Sequence, residues 1–204
     1  MFATAFLAIS CPLFPVIALA IKLDSEGPIL FSQTRVGRYG RPFQILKFRS
    51  MVSGAVYPMK LITAASDPRI THFGRLLRNT KLDELPQIWN VIRGDMSLVG
   101  PRPEIEKHVS VGYSEQDKGI VFAVRPGLTD PTSIEYYSEE RLLQGQADVE
   151  AFYLAVVLPR KIRAYRIYAQ TLSFAKDFQI IGATLRAVAF GMTHHFRRPP
   201  KLWP

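Results

Sequence analysis

One cysteine, Cys11, stands in 204 residues. An internal disulfide and a cysteine-based zinc site are both excluded, which suits a reducing compartment. The four histidines, His72, His108, His194 and His195, show no metal-ligand spacing,. Acidic residues are also scarce: 17 Asp and Glu against 26 Lys and Arg leave a net charge of +9. That balance calls for a polyanionic partner, whether nucleic acid, anionic lipid or a phosphorylated substrate. No nucleic-acid motif accompanies the charge. Fixed-period repeats and low-complexity tracts are absent too, so a solenoid is excluded. The composition is otherwise near average, neither disordered nor collagen-like. The length suffices for one domain with a substantial core.

Charge is missing altogether from residues 1–21, MFATAFLAISCPLFPVIALAI. A straight helix of that length rises roughly 30 Å, about the thickness of a bilayer's hydrocarbon core. A signal peptide would need a basic leading region, and none is present. A spanning helix must accommodate Pro12 and Pro15 at its centre, each removing a backbone donor. A re-entrant hairpin would break at Ser10, Cys11 and Pro12 and return to the same face, Ser10 satisfying a freed carbonyl. A buried core helix is the remaining alternative. The expected division is a membrane segment over 1–22, a main domain over 23–190 and a basic tail over 191–204.

Past the turn cluster of residues 22–28, alternation predicts a hairpin. Its strands cover residues 29–33 and 43–48, and residues 36–42 make a basic turn. Lys47 and Arg49, two apart, share a strand face and are candidate phosphate contacts; two solvated cations are the plainer alternative. Residues 53–66 read as a loop. Residues 72–78 read as a helix with Phe73, Leu76 and Leu77 inward, and Arg75, Arg78 and Lys81 on or beyond its other face. Short helices or loops are expected over 104–112 and 114–119. From about Ser138 the pattern turns helical, over 148–158, 160–172 and 177–190. Arg160, Lys161, Arg163 and Arg166 form a basic band with Tyr153, Tyr165 and Tyr168 around it. Such a band is a solvated face or, beside a membrane segment, a surface for anionic headgroups with tyrosines at the interface.

The stretch TKLDELPQIWNVIRGDMSLVGPRPE, residues 80–104, carries the most chemistry. Leu85, Ile88, Trp89 and Ile92 fall on one face of a short helix, with Pro86 in its first turn. Asp83 and Glu84 thus sit near a helix start, where negative charge is favoured. One can stay ionised as a nucleophile or a metal ligand although its neighbour is also an acid. Cations approaching from Arg75, Arg78 and Lys81 could lower both pKa values or form ordinary ion pairs. Residues 97–99 predict a short strand. The turns at Gly100-Pro101-Arg102-Pro103 and Arg125-Pro126-Gly127 each set an arginine on a stiff backbone, and two such arginines suit a phosphate clamp. Carboxylates with framed arginines point to phosphate chemistry with a divalent metal. The bland alternative is a capped surface helix followed by a loop.

In this order the landmarks resemble the bacterial sugar transferases, the monotopic phosphoglycosyl transferases of the PglC type. The resemblance rests on the apolar start with Pro12, Lys47-Phe48-Arg49-Ser50-Met51, Asp67-Pro68-Arg69-Ile70-Thr71, the block over residues 82–104, and Val124-Arg125-Pro126-Gly127-Leu128-Thr129-Asp130. It implies a helix-rich α/β cytoplasmic domain with a small β-hairpin or sheet, behind an N-terminal re-entrant membrane helix at the cytoplasmic face of the bacterial inner membrane. It implies transfer of a sugar 1-phosphate from a UDP-sugar to polyprenyl phosphate with release of UMP. Asp83 matches the nucleophile and Glu84 the Mg²⁺ ligand. Arg102 and Arg125 would hold phosphate oxygens, with Lys47, Arg49, Arg78 and Lys81 in the same anionic pocket. Membrane lipids are expected partners, a homodimer is compatible, and nucleic acid is not expected. Family members usually carry a basic stretch ahead of the apolar segment, which this chain begins too late to contain. Where they usually carry a Ser-Pro break, it has Ser10-Cys11-Pro12. The residues around 53–66 and 129–137 are where sugar choice is expected. A catalytically silent scaffold on anionic lipid is the competing reading.

Overall fold

The computed structural model describes residues 11–53, 67–133, 143 and 145–191. Ser10, most of the loop over 53–66, the residues following Ser133, the start of the C-terminal helical region near Ser138 and the tail beyond 191 lie outside the described residues. The described part is helix-rich with little strand, as the pattern predicts.

Helix α1 (Leu13–Asp24) starts directly after Pro12, which serves as its N-cap. Cys11 and Pro12 form the turn ahead of it, and the Phe14 N–H donates to Cys11 O at 3.1 Å. Among the described residues, no helix is long and apolar enough to cross a membrane. One stripe of α1, Ile17 and Ile21, is buried against Phe48, Leu77, Leu82 and Leu85. Its other faces expose Val16, Leu19 and Leu23.

Strands β1 (Leu30–Val36) and β2 (Pro42–Phe48) form the antiparallel hairpin, with Phe31 opposite Lys47 and Arg35 opposite Phe43. Arg49, just past β2, is buried and faces the end of α1. Its Nη2 donates to Ser25 O at 2.6 Å, to Ser25 Oγ at 3.0 Å and to Ile21 O at 3.3 Å. Helix α2 (His72–Thr80) is capped by Thr71, and Asp24 at the end of α1 accepts from the Phe73 N–H. Leu77 is inward as expected, but Leu76 is exposed.

A 3₁₀ turn (Leu82–Glu84) leads into α3 (Gln87–Arg93). Strand β3 (Ser97–Val99) pairs in parallel with β4 (Gly127–Thr129). Gly100 and Gly127 let these two turns touch backbone to backbone: a Cβ on Gly100 would collide with Arg125 O, and one on Gly127 with Gly100 N,. Between them lie α4 (Glu106–Gly112) and α5 (Glu115–Val121).

The C-terminal region runs through α6 (Val149–Phe152), a π-helical turn (Tyr153–Val157) and α7 (Leu158–Gln170) without a break at Pro159, which sits in the first turn of α7,. Helix α8 (Phe174–Gly191) follows and exposes Phe174, Phe178 and Leu185.

The expected basic band is not a uniform solvated or lipid-facing surface. Lys161 is only 2% exposed and lies over the Tyr153 ring, and Arg166 pairs with Asp117. Tyr153, Tyr165 and Tyr168 are buried, not interfacial. Tyr153 on the π turn and Tyr165 on α7 pack into the cluster with Val109 of α4, Tyr113 just past it and Val121 of α5, and Tyr168 packs against Val99 and Ile180.

Candidate active site

The acidic pair is held by packing from below and by charge from the side. Leu82 and Leu85, which flank it, pack into the cluster built on α1. Lys81 ends α2 in the left-handed conformation at φ 58°, turning the chain into the 3₁₀ turn. A non-glycine residue there stores of order 1 kcal/mol of backbone strain.

Helix α3 meets the hairpin differently from the sequence expectation. Trp89 is 50% exposed and Ile92 is also at the surface. The buried side is Gln87, Ile88 and Asn90. The cause is the free edge of β2, whose outward backbone groups need polar partners. Asn90 supplies them: Oδ1 accepts from the Leu46 N–H at 3.1 Å and Nδ2 donates to Gln44 O at 2.8 Å. Asn90 therefore fixes α3, and the acidic turn ahead of it, to the strand that carries Lys47. The visible signal was a pair of amides, Gln87 and Asn90, bracketing Ile88 in an otherwise apolar stripe.

Glu84 Oε1 receives two cations, Lys47 Nζ at 2.8 Å and Arg102 Nη2 at 2.6 Å. Burial alone raises the Glu84 pKa, but Arg102, Lys47 and Lys81 outweigh it and hold the carboxyl well below its ordinary value,. Asp83 goes the opposite way. Burial raises its pKa, the Glu84 charge adds to the rise, and Lys47, Lys81 and Arg78 only partly offset it. Its Oδ1 is buried with no hydrogen-bond partner. Burial also pulls the Lys47 ammonium below its ordinary value, against the attraction of Glu84.

Of the residues singled out from sequence, Lys47, Lys81, Asp83, Glu84 and Arg102 form one charged cluster, with Arg78 at its margin donating to Ser50 Oγ at 3.4 Å. Arg125 is exposed, and its Nε donates to Gly94 O at 2.9 Å. Lys47 and Arg102 thus meet at Glu84, while Arg125 lies apart from them at the surface.

The Arg102 turn has its own support. Arg35 Nη1 donates to Pro103 O at 3.1 Å, and the Val36 N–H donates to Glu104 O at 2.9 Å. Buried Glu104 accepts from Tyr153 Oη at 2.7 Å and faces His108 Nδ1 at 3.4 Å. Burial opposes its ionisation, but His108, Lys161, Tyr153 and Arg35 together hold its pKa down to about 2. Sequence reading missed this network, because Arg35, Tyr153 and Lys161 are distant from Glu104 along the chain.

Two adjacent carboxylates, one neutralised by fixed cations and the other buried with a bare oxygen, can attack or bind an electrophile that brings its own negative charge. The family model described as bacterial sugar transferase matches residues 1–191. A UDP-glucose:undecaprenyl-phosphate glucose-1-phosphate transferase of Caulobacter vibrioides is 41% identical over 180 residues, covering 87% of this chain and 63% of that protein. The Escherichia coli protein of the same name is 45% identical over 131 residues, covering 62% of this chain and 28% of its own length. The chain thus spans less than two thirds of both. The exopolysaccharide production protein PSS of Rhizobium leguminosarum is 36% identical over 189 residues, covering 88% of this chain and 86% of that protein. The matched landmarks, and a match running over nearly the whole chain, establish that it belongs to the bacterial sugar transferase family.

Proposed function

We propose that this chain transfers a sugar 1-phosphate from a UDP-sugar to polyprenyl phosphate through a covalent intermediate on Asp83. The observation that carries the reading is the buried, unpartnered Oδ1 of Asp83 beside a Glu84 neutralised by Lys47 and Arg102. In the first step an Asp83 carboxylate oxygen bonds to the phosphorus that bears the sugar. The bond from that phosphorus to the bridging oxygen breaks, and its electron pair leaves with UMP. In the second step a phosphate oxygen of polyprenyl phosphate attacks the same phosphorus, and the Asp83 carboxylate is released. Lys47 and Arg102 meet the diphosphate charge on the donor. Arg78 and Lys81 add to the same field.

Mg²⁺ fits the donor set. Among the described residues no group of three or more His, Cys, Asp or Glu forms a protein cage. Mg²⁺ commonly uses one or two carboxylates and takes its other ligands from water and substrate phosphates. Glu84 would hold it. When bound, the ion neutralises the diphosphate and favours departure of UMP.

The apolar outer face of α1 supports a place at the cytoplasmic side of the inner membrane, where the acceptor's headgroup lies,. A re-entrant path for residues 1–22 and lipid contact by the exposed apolar side chains belong to the same reading.

The test is UMP release from a panel of UDP-sugars by detergent-solubilised protein, with Mg²⁺ and undecaprenyl phosphate and with an EDTA control. Metal-dependent release with one sugar is expected, and Asp83→Asn should abolish it while leaving the fold intact. Full activity of Asp83→Asn would sink the nucleophile assignment. No release from folded wild-type protein with any sugar would favour the scaffold.

A further inference from the structure

Helix α3 buries two side-chain amides, and they differ in one respect. Asn90 is fully engaged with β2 and Asp95. Gln87 is 1% exposed, yet its Nε2 has no hydrogen-bond partner. Buried polar groups in folded proteins are nearly always paired, so an exception needs a reason.

Its location supplies one. The chain stays in right-handed helical conformation from the acidic turn into α3: Leu85 has φ −52°, ψ −39° and Pro86 has φ −61°, ψ −18°. Its bonds are of the 3₁₀ kind, from the Leu85 N–H to Leu82 O at 3.2 Å and from the Ile88 N–H to Leu85 O at 3.1 Å, and Asp83 and Gln87 are both buried on it,. Gln87 is four beyond Asp83, whose Oδ1 is likewise buried and unpartnered. A donor and an acceptor without partners therefore lie buried four residues apart on the same short helical segment. A phosphoryl group bonded to Asp83 brings new acceptor oxygens to this place.

We infer that Gln87 is a further catalytic residue, its amide donating to a non-bridging phosphoryl oxygen as Asp83 attacks. This deepens the proposed function and rests on it. The amide is held ready by the fold and finds its partner when phosphorus reaches Asp83, the arrangement that favours a transition state over a resting site. It forms and breaks no covalent bond.

The experiment measures single-turnover UMP release, KM for the UDP-sugar and thermal unfolding for wild type, Gln87→Met and Gln87→Glu. Removing one preorganised donor is expected to slow the UMP burst about 100-fold, with KM nearly unchanged. Gln87→Met removes an amide that has nothing to bond in the resting protein, so its Tm should equal or exceed that of wild type. Gln87→Glu keeps the shape, sets a carboxylate against the phosphoryl group and should be at least as slow. A wild-type burst rate in Gln87→Met overturns the assignment, as does a large fall in its Tm, which would make the amide part of the scaffold. Absence of a burst in wild type would overturn the phosphoryl-transfer reading and this role with it.

Discussion

Replacing Asn90 with alanine tests how the acidic turn is held. Asn90 is completely buried. It makes two good hydrogen bonds to the edge of β2, at 3.1 Å from the Leu46 N–H and 2.8 Å to Gln44 O, and a weaker one at 3.3 Å to Asp95. Alanine would leave the Leu46 N–H and Gln44 O without partners where water has little access. Each stranded group costs about 1–3 kcal/mol, and taking about 1.5 for each gives a loss of about 3 kcal/mol. For a chain of this size each kcal/mol moves Tm by about 2–4 °C, so a fall of about 6–12 °C is expected by calorimetry or circular dichroism in detergent. Asn90→Asp is the control. It keeps the acceptor for Leu46 but sets a carboxylate against Gln44 O and Asp95. It should fall at least as far at neutral pH and recover part of the loss as acid protonates it. A Tm loss below about 2 °C for Asn90→Ala would refute the edge-sealing argument.

The remaining expectations concern charge. In the proposed mechanism Asp83 attacks as the carboxylate, and its pKa is raised, so the acid limb of the UMP burst should lie above the ordinary aspartate range; Lys47→Met, which removes the largest offset to that rise, should move it higher still. A limb that stays or falls in Lys47→Met would contradict this. Glu104 is depressed in the folded state from 4.5 to about 2. It therefore contributes stability that is present above its unfolded pKa and is lost as pH falls through 4.5 toward 2. The shift amounts to about 3 kcal/mol at neutral pH. Glu104→Gln should consequently lose more Tm at pH 7 than at pH 3, and equal losses at both would refute it.

The hairpin was readable because its strand and turn signals act locally; the first strand was placed one residue early at its start and three short at its end, and the second began one residue late. The short strand over 97–99 and the helix from His72 followed from the same local signals. The face of α3 was misread because apolar spacing was weighed and the open edge of β2 was not: two backbone groups there draw Asn90 inward and leave Trp89 outside. Lys161 was misread for a related reason. Helical spacing groups it with Arg160 and Arg163, whereas its ammonium lies over the Tyr153 ring, two turns earlier in the same helical run, and within reach of the charge of Glu104 from a distant turn. Five of the proposed site residues gather because Lys81, Asp83 and Glu84 lie on one short stretch, Arg102 returns to it on the turn after β3, and Asn90 draws β2, with Lys47, alongside. Arg49 shared a motif with Lys47 but serves α1 instead, for the carbonyls that end a helix are themselves good partners for a guanidinium.

Asp83 and Glu84 show why neighbouring acids in one motif need not be alike. Both are screened from water, and burial pushes both toward the protonated form. The difference lies in which cations reach them. Glu84 takes Lys47 and Arg102 directly on one oxygen, so its ionised form is fixed before any substrate arrives. The same cations lie farther from Asp83, and the charge they keep on Glu84 disfavours a second charge next door. Asp83 is left with an oxygen bonded to nothing, and its ionised form is higher in energy than that of an ordinary aspartate. A carboxylate so placed gains more from bonding to phosphorus than one already satisfied by a lysine or an arginine. The proposed roles follow from the reach of two side chains, one on β2 and one on the turn after β3, and not from the order of the acids along the chain.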